Sequence, residues 1–292
     1  MTLLLLLKIC LVIFIVGNLL EMGLKLSPED ALKGLRNFRF VGYTLLWGFV
    51  LGPALAYALT LIIPLERPYA VGLILLGMAP SAPFLPLLVN KAKGDVGLTA
   101  AFMMLVAITT IIFMPLVVPL LAKGLSVSPW TIAKPLLIII LLPMVVGMFI
   151  LRRNKNRAKK LNPIVKKVTG VFTVATVVLS VVVYGEGLLG VAGTFAIAAQ
   201  IIFFGLLTTL SYWLSFGLKL DQRLVLSIGM STRNLGAAIA PLLSIKDLDQ
   251  RTVVMVVLGL PVMLIFTWFA VKCYGPPARK PETLNPATPK SA

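Results

Sequence analysis

The chain has no histidine and only two cysteines among its 292 residues. The first absence removes the commonest metal ligand and the commonest proton shuttle. Cys10 and Cys273 stand near opposite ends with no CxxC spacing, so neither a metal site nor a disulfide framework is indicated. Charged residues make up 13% of the chain, roughly half the ~25% of a soluble domain. Its ten carboxylates fall nearly all in loops or at the ends of apolar blocks, so the deep carboxylate of a proton-coupled carrier is not evident. A phosphate-cradling glycine loop is missing, which excludes a self-contained ATP-driven pump. No nucleophile–base constellation stands out, so an enzyme is not expected, and neither is a cofactor or a bound metal.

What fills the chain instead is apolar, at 59% of residues. These residues run in blocks of ~20 or more, the length that crosses a hydrocarbon core of ~30 Å as a helix. Nine spans are predicted, at 2–24, 41–63, 69–90, 95–122, 130–152, 166–185, 189–218, 223–244 and 251–274. The first block lacks a basic n-region and an A-x-A cleavage site, so it reads as a span rather than a signal peptide. The fold class expected is therefore an all-α polytopic membrane protein, whose one certain partner is the lipid bilayer.

The net charge of +17 does not indicate nucleic acid, because the basic residues lie in short loops between apolar blocks. Counted by side, 20 basic residues face one way and four (Arg67, Lys123, Lys246 and Arg251) the other. The positive-inside rule then puts the N-terminus outside and the C-terminus in the cytoplasm, in what is expected to be a bacterial inner membrane. The stretch 152–167, with eight basic residues, reads as a cytoplasmic loop. The Pro-rich tail 276–292 reads as disordered.

Two spans are interrupted. The third contains Pro80-Ser-Ala-Pro-Phe-Leu-Pro86, where three prolines each remove a backbone donor and disfavour helix before them. The eighth contains Gly229-Met-Ser-Thr-Arg-Asn-Leu-Gly-Ala-Ala238. Four spans followed by five suggest two units, the first lacking its opening helix, which run in opposite directions. Matched interruptions in the two halves of such an inverted repeat point to a midplane site. Arg233 sits in the second, where a guanidinium at membrane depth costs ~2.5–3.5 kcal/mol or more. It is expected to face the protein interior or a water-filled cavity.

At these segments the chain resembles the bile acid:sodium symporter family. The likeness covers nearly the whole length and includes Met22-Gly-Leu-Lys-Leu26, Ala70-Val-Gly-Leu-Ile-Leu-Leu-Gly77, Gly94-Asp-Val96, Ile140-Leu-Leu-Pro-Met144 with Gly147, and Gly229 to Ala238. It implies a panel domain packed against a core domain in which two broken helices cross. The panel would comprise 1–40 and 130–188, the core 41–129 and 189–275. Family members with ten helices carry an extra first one.

The departures from the family pattern are coordinated. Its sodium-binding Ser-Asn pair falls on Leu85 and Pro86, and two hydroxyl ligands fall on Met103 and Ala107. A bridging glutamate becomes Gly229, one glutamine becomes Arg233, another falls near Gly48, and only Asn234 survives. Sodium prefers oxygen ligands with a negative charge among them. Side-chain sodium sites are therefore not expected, although backbone carbonyls at the breaks could still hold the ion.

The function expected is secondary transport of a small organic anion by alternating access. Arg233 would stand in for a bound cation and pair with the anion beside half-helix N-termini. Ser231, Thr232, Asn234 and Ser81 would add hydrogen bonds, with Pro83 and Phe84 at the first break and an apolar wall of Phe84, Leu85 and Met103. Two alternatives for Arg233 are capping of freed carbonyls and snorkelling to the cytoplasmic side. Two alternatives for the chain are sodium-coupled symport through backbone ligands and a non-transporting sensor or assembly partner.

Overall fold

The structure is a computed structural model that describes residues 2–25, 29, 34–121, 128–191, 193–245 and 248–275. The expectation of a disordered tail at 276–292 lies outside them. The described residues fold as eleven helices. These are α1 (Leu3–Lys25), α2 (Phe38–Ile62), α3 (Arg67–Met78), α4 (Leu85–Lys91), α5 (Val96–Leu121) and α6 (Pro129–Arg153). There follow α7 (Lys155–Gly190), α8 (Ala196–Trp213), α9 (Leu220–Ser231), α10 (Leu235–Ile239) and α11 (Gln250–Tyr274). A π-helical turn interrupts α2 at Leu46–Leu51 and α6 at Leu137–Leu141. A 3₁₀ turn, Ala240–Ser244, extends α10.

Seven of these helices, α1, α2, α5, α6, α7, α8 and α11, are long and apolar enough to cross a bilayer. Large apolar side chains stand outward on them, among them Ile112, Leu116 and Leu120 of α5 and Val171, Val174, Val178 and Val182 of α7. An exposed apolar belt on this scale suits lipid and not water. This is a multi-pass integral membrane protein.

The predicted spans 69–90 and 223–244 are each two short helices in the structure. At 1.5 Å per residue the 12 residues of α3 reach ~18 Å, too short for a hydrocarbon core of ~30 Å. The prolines account for the first interruption. α3 stops at Met78, Pro80 follows, Ser81 takes a left-handed backbone (φ 65°), and α4 resumes with Pro86 in its first turn. The second interruption has no proline. There Thr232 is extended (φ −102°, ψ 145°), and the Asn234 side chain accepts a hydrogen bond from the Ala237 N–H, capping α10.

The stretch 152–167 is not the loop expected. Asn154 alone separates α6 from α7, and its side-chain oxygen accepts from the Arg157 N–H at 3.0 Å, starting a helix of 36 residues. Lysine, arginine and alanine are good helix formers, so the charge that ended the hydropathic span did not end the helix. α8 in turn begins at Ala196 rather than 189, after a turn in which Gly193 and Phe195 have positive φ (89° and 60°).

α1 lies along α7 and along α6. Its crossing with α6 is a meeting of glycines. A side chain at Gly147 would stand 2.6 Å from the Leu20 carbonyl oxygen and 2.8 Å from the Gly23 backbone, and one at Gly23 would strike the Met144 carbonyl. Membrane helices pack closely through such small residues. α3 packs along α11, and α8 along α9. Gln200 of α8 donates to the Met255 carbonyl of α11 at 2.8 Å, a hydrogen bond between helices.

Candidate functional site

The two interruptions meet. Pro80 and Arg233 form an isolated antiparallel bridge. The Ser81 N–H donates to the Thr232 carbonyl and the Asn234 N–H to the Ala79 carbonyl, both at 2.9 Å. The Thr232 hydroxyl accepts from the Ala82 N–H at 3.2 Å and lies 3.1 Å from the Ile228 and Gly229 carbonyls, to which it donates. Backbone groups left over by each broken helix are thus satisfied by the other, as a dry interior requires.

Arg233 is fully buried. It does not snorkel. Its backbone N–H donates to the Met263 sulfur at 3.0 Å, and its side chain runs to the place where α3 ends beside α2. Nη1 is 3.5 Å from the Gly77 carbonyl oxygen, at the limit of a hydrogen bond. The guanidinium carbon lies 5.3 Å from the Phe203 ring centre, a cation–π distance. Nε and Nη2 have no protein acceptor. Gly52, just after the π-helical turn of α2, makes the room: a side chain there would stand 3.4 Å from Nη2 and 2.8 Å from the Trp47 carbonyl oxygen.

This placement corrects the expectation of half-helix N-termini around the charge. The last carbonyls of a helix lack intrahelical partners and carry the negative end of its dipole. Gly77 is the penultimate residue of α3, so the guanidinium sits where half-helices of transporters hold cations. Carbonyl capping, one of the alternatives, is present as a single long bond. It leaves most of the five guanidinium donors unused.

The other expected site residues divide into three groups. Ser231 and Thr232 are fully buried and engaged within the protein; the Ser231 hydroxyl bonds the Ile228 carbonyl at 2.9 Å and the Thr267 hydroxyl at 3.1 Å. Leu85 is likewise fully buried. Ser81, Pro83 and Asn234 border a void of about 20 Å³ together with Met103, Ala107 and Thr110. The Ser81 hydroxyl there is buried and unpartnered. Pro83, Phe84, Arg233 and Asn234 border a second void of the same size.

A larger cavity, of about 590 Å³, lies between α1, α7, α10 and α11. Of the expected site residues only Phe84 reaches it. Its polar side is a stripe on α7, Thr173, Thr176, Ser180 and Tyr184, spaced by three and four residues, with Asn18 and Lys8 of α1. Sequence reasoning passed over that stripe. The spacing was available, but which face of α7 turns inward depends on its packing. Lys8 is exposed and borders this cavity. Glu21 and Lys25 form an ion pair at the end of α1, at 2.5 Å.

Position 229 completes the picture. A side chain built on Gly229 would run into the Phe102 ring.

The sequence model of the Sodium Bile acid symporter family matches residues 11–190. The chain belongs to this family. Among its relatives is a protein of Oryza sativa subsp. japonica named probable sodium/metabolite cotransporter BASS2, chloroplastic. It is 26% identical over 234 residues, 76% of this chain and 54% of the relative. A second, from Arabidopsis thaliana, is named probable sodium/metabolite cotransporter BASS3, chloroplastic, at 23% identity over 278 residues, 94% of this chain and 64% of the relative. The chain therefore spans between about half and two thirds of these relatives' length. The family match ends before α8, so the segment carrying Arg233 lies beyond it, while the longer pairwise match covers nearly the whole chain.

Proposed function

We propose that this family member is a secondary transporter of a small organic anion, working by alternating access without side-chain sodium sites. The observation that carries the reading is the buried guanidinium of Arg233 against the C-terminal end of α3. An arginine does not give up its proton under physiological conditions and cannot leave with a substrate. It supplies permanently the positive charge that a coupling cation supplies only while bound. The moving parts are a panel of α1, α6 and α7 and a core of the remaining helices, with the cavity between them as the route. Counting α3–α4 and α9–α10 as one broken span each gives nine spans in an inverted repeat. The bias of basic residues supports an external N-terminus and a cytoplasmic C-terminus in an inner membrane of bacterial type.

One observation favours a second reading, sodium-coupled symport. The void behind the crossing retains the oxygen-bearing side chains Ser81, Thr110 and Asn234, and the relatives' names include sodium. Its remaining side-chain lining is apolar and it has no carboxylate, which makes it a poor cage for a hard cation.

Counterflow in proteoliposomes, with internal organic anions trapped and external sodium varied, separates the readings. Exchange that persists in choline-based, sodium-free buffer supports the built-in charge. Strict dependence on sodium overturns it, and absence of flux for every anion tested points to the sensor or assembly role.

A further inference from the structure

The two cations placed among the helices do not share one space. Arg233 is sealed at the crossing, whereas Lys8 borders the 590 Å³ cavity, where it is the one charged side chain on the wall among the described residues. Among the described residues no carboxylate pairs with Lys8. The opposite wall is hydrocarbon, from Leu235, Leu260, Leu264 and Phe84. Gly17 of α1 meets Thr169 of α7. Lys8 and Tyr184 both line the cavity, and the Tyr184 hydroxyl donates to the Gln250 side-chain oxygen at 3.4 Å. Thr176 lines the same wall with a buried hydroxyl that has no partner.

We infer that Lys8 is the residue that receives the negative group of the anionic cargo. The inference rests on the transport reading above and assigns within it a role that Arg233 does not fill. A cavity of this volume suits a ligand of drug-like size, oriented by a few polar groups on a largely apolar wall. An ammonium on a flexible stem can follow and release an anion, and it presents three donors to a carboxylate or sulfonate. Thr176 offers a further donor along the polar stripe. The hydrocarbon opposite gives the body of the molecule its place and disfavours a second charge there.

The test is thermal stabilisation of the purified full chain by hexanoate, cyclohexanecarboxylate, benzoate and hexanesulfonate, each beside its neutral amide. The same anions are run in counterflow. At least one anion is expected to stabilise the wild type while its amide does not. Lys8→Gln should weaken that binding by ~10-fold or more, the loss of one charged hydrogen bond. Lys8→Arg should retain most of it, and Lys272→Gln, on a helix end away from the cavity, should behave as wild type. Should Lys8→Gln fail to fold, acetylation of Lys8 in the wild type serves instead: the stabilising anion slows it if the assignment holds, and an unchanged rate overturns it. Equal binding and counterflow by Lys8→Gln and wild type remove Lys8 alone. Failure of every anion both to stabilise the wild type and to exchange removes the transport reading with it.

Discussion

The two helix interruptions are made by opposite means. The first, between Met78 and Leu85, is written into covalent structure, since Pro80, Pro83 and Pro86 cannot donate and Ser81 is held at positive φ. The second, between Ser231 and Leu235, has no proline, and its own sequence does not forbid a continuous helix. It stays open through contacts: the Ala79 carbonyl takes the Asn234 N–H, the Thr232 carbonyl takes the Ser81 N–H, and Met263 takes the Arg233 N–H. One break is a rigid template, and the other is shaped on it and carries the charge.

The largest effect is expected from removing that charge. Arg233→Gln and Arg233→Met should abolish sodium-free counterflow, to at most ~1/10 of wild type if even one charged interaction of ~1.5–3 kcal/mol is lost from the transport cycle. Replacing a poorly paired buried charge with an apolar side chain of similar volume is often neutral or stabilising, by ~1–4 kcal/mol. Thermal unfolding of Arg233→Met should therefore hold or rise while transport falls. A variant that disappears from the membrane instead would make Arg233 a structural part of the second break and end the comparison.

The glycine before the second break tests how closely α9 packs against α5. Gly229→Ala places a methyl group inside the Phe102 ring and should destabilise by ~1–3 kcal/mol through overpacking. Phe102→Ala in the same chain should relieve that clash, so a double-mutant cycle in thermal unfolding should give a non-additive result. Additive losses would mean the two positions do not share space.

Next in size is Thr232→Val, which takes the acceptor from the Ala82 N–H and leaves that donor buried, at ~1–3 kcal/mol. Because it strikes the joint between the breaks, it should lower stability and transport together. Pro83→Ala, on the template side, should cost less than ~1 kcal/mol, since Pro80, Pro86 and the backbone bridge remain. If the order were reversed, the prolines would not be the template.

Much of this could be read before any coordinates. Three prolines in seven residues marked the first break, and a lone arginine among small residues marked the second; their pairing follows once both are taken as broken. The direction of the guanidinium was not legible. It depends on Gly52 and Gly77 bringing α2 and α3 close enough to expose a carbonyl to Nη1, and no local pattern ties residues 52, 77 and 233. The hydroxyls of Ser231 and Thr232 looked available because a sequence shows polarity but not prior engagement. The α7 stripe was missed because its spacing, legible within the predicted span 166–185, does not say which face of that helix turns inward.

The smallest effect concerns how each half-helix leading into a break is fastened. Glu66, just before α3, forms an ion pair with Arg251, which also donates to both Asp249 carboxylate oxygens, at 2.7 to 3.2 Å. Among the described residues α9 begins without an ion pair: the Lys219 N–H donates to the Gln222 side chain at 3.1 Å and the Arg223 guanidinium to the Leu218 carbonyl at 3.0 Å. Only the first break should therefore respond to acid and salt. Hydrogen bonds from Arg251 hold the Asp249 carboxyl below its ordinary value. A lowered folded-state value means that its contribution is complete above the unfolded value, ~3.9, and fades as pH falls through the lower folded one. The cluster is exposed, so the effect is small and screened by salt. Hydrogen exchange at the first turn of α3 should speed slightly below about pH 4 in wild type, and the acid-dependent step should flatten in Asp249→Asn. The first turn of α9 should show no such step. Equal acid sensitivity at both helix starts would remove this difference between the two breaks while leaving the rest of the comparison intact.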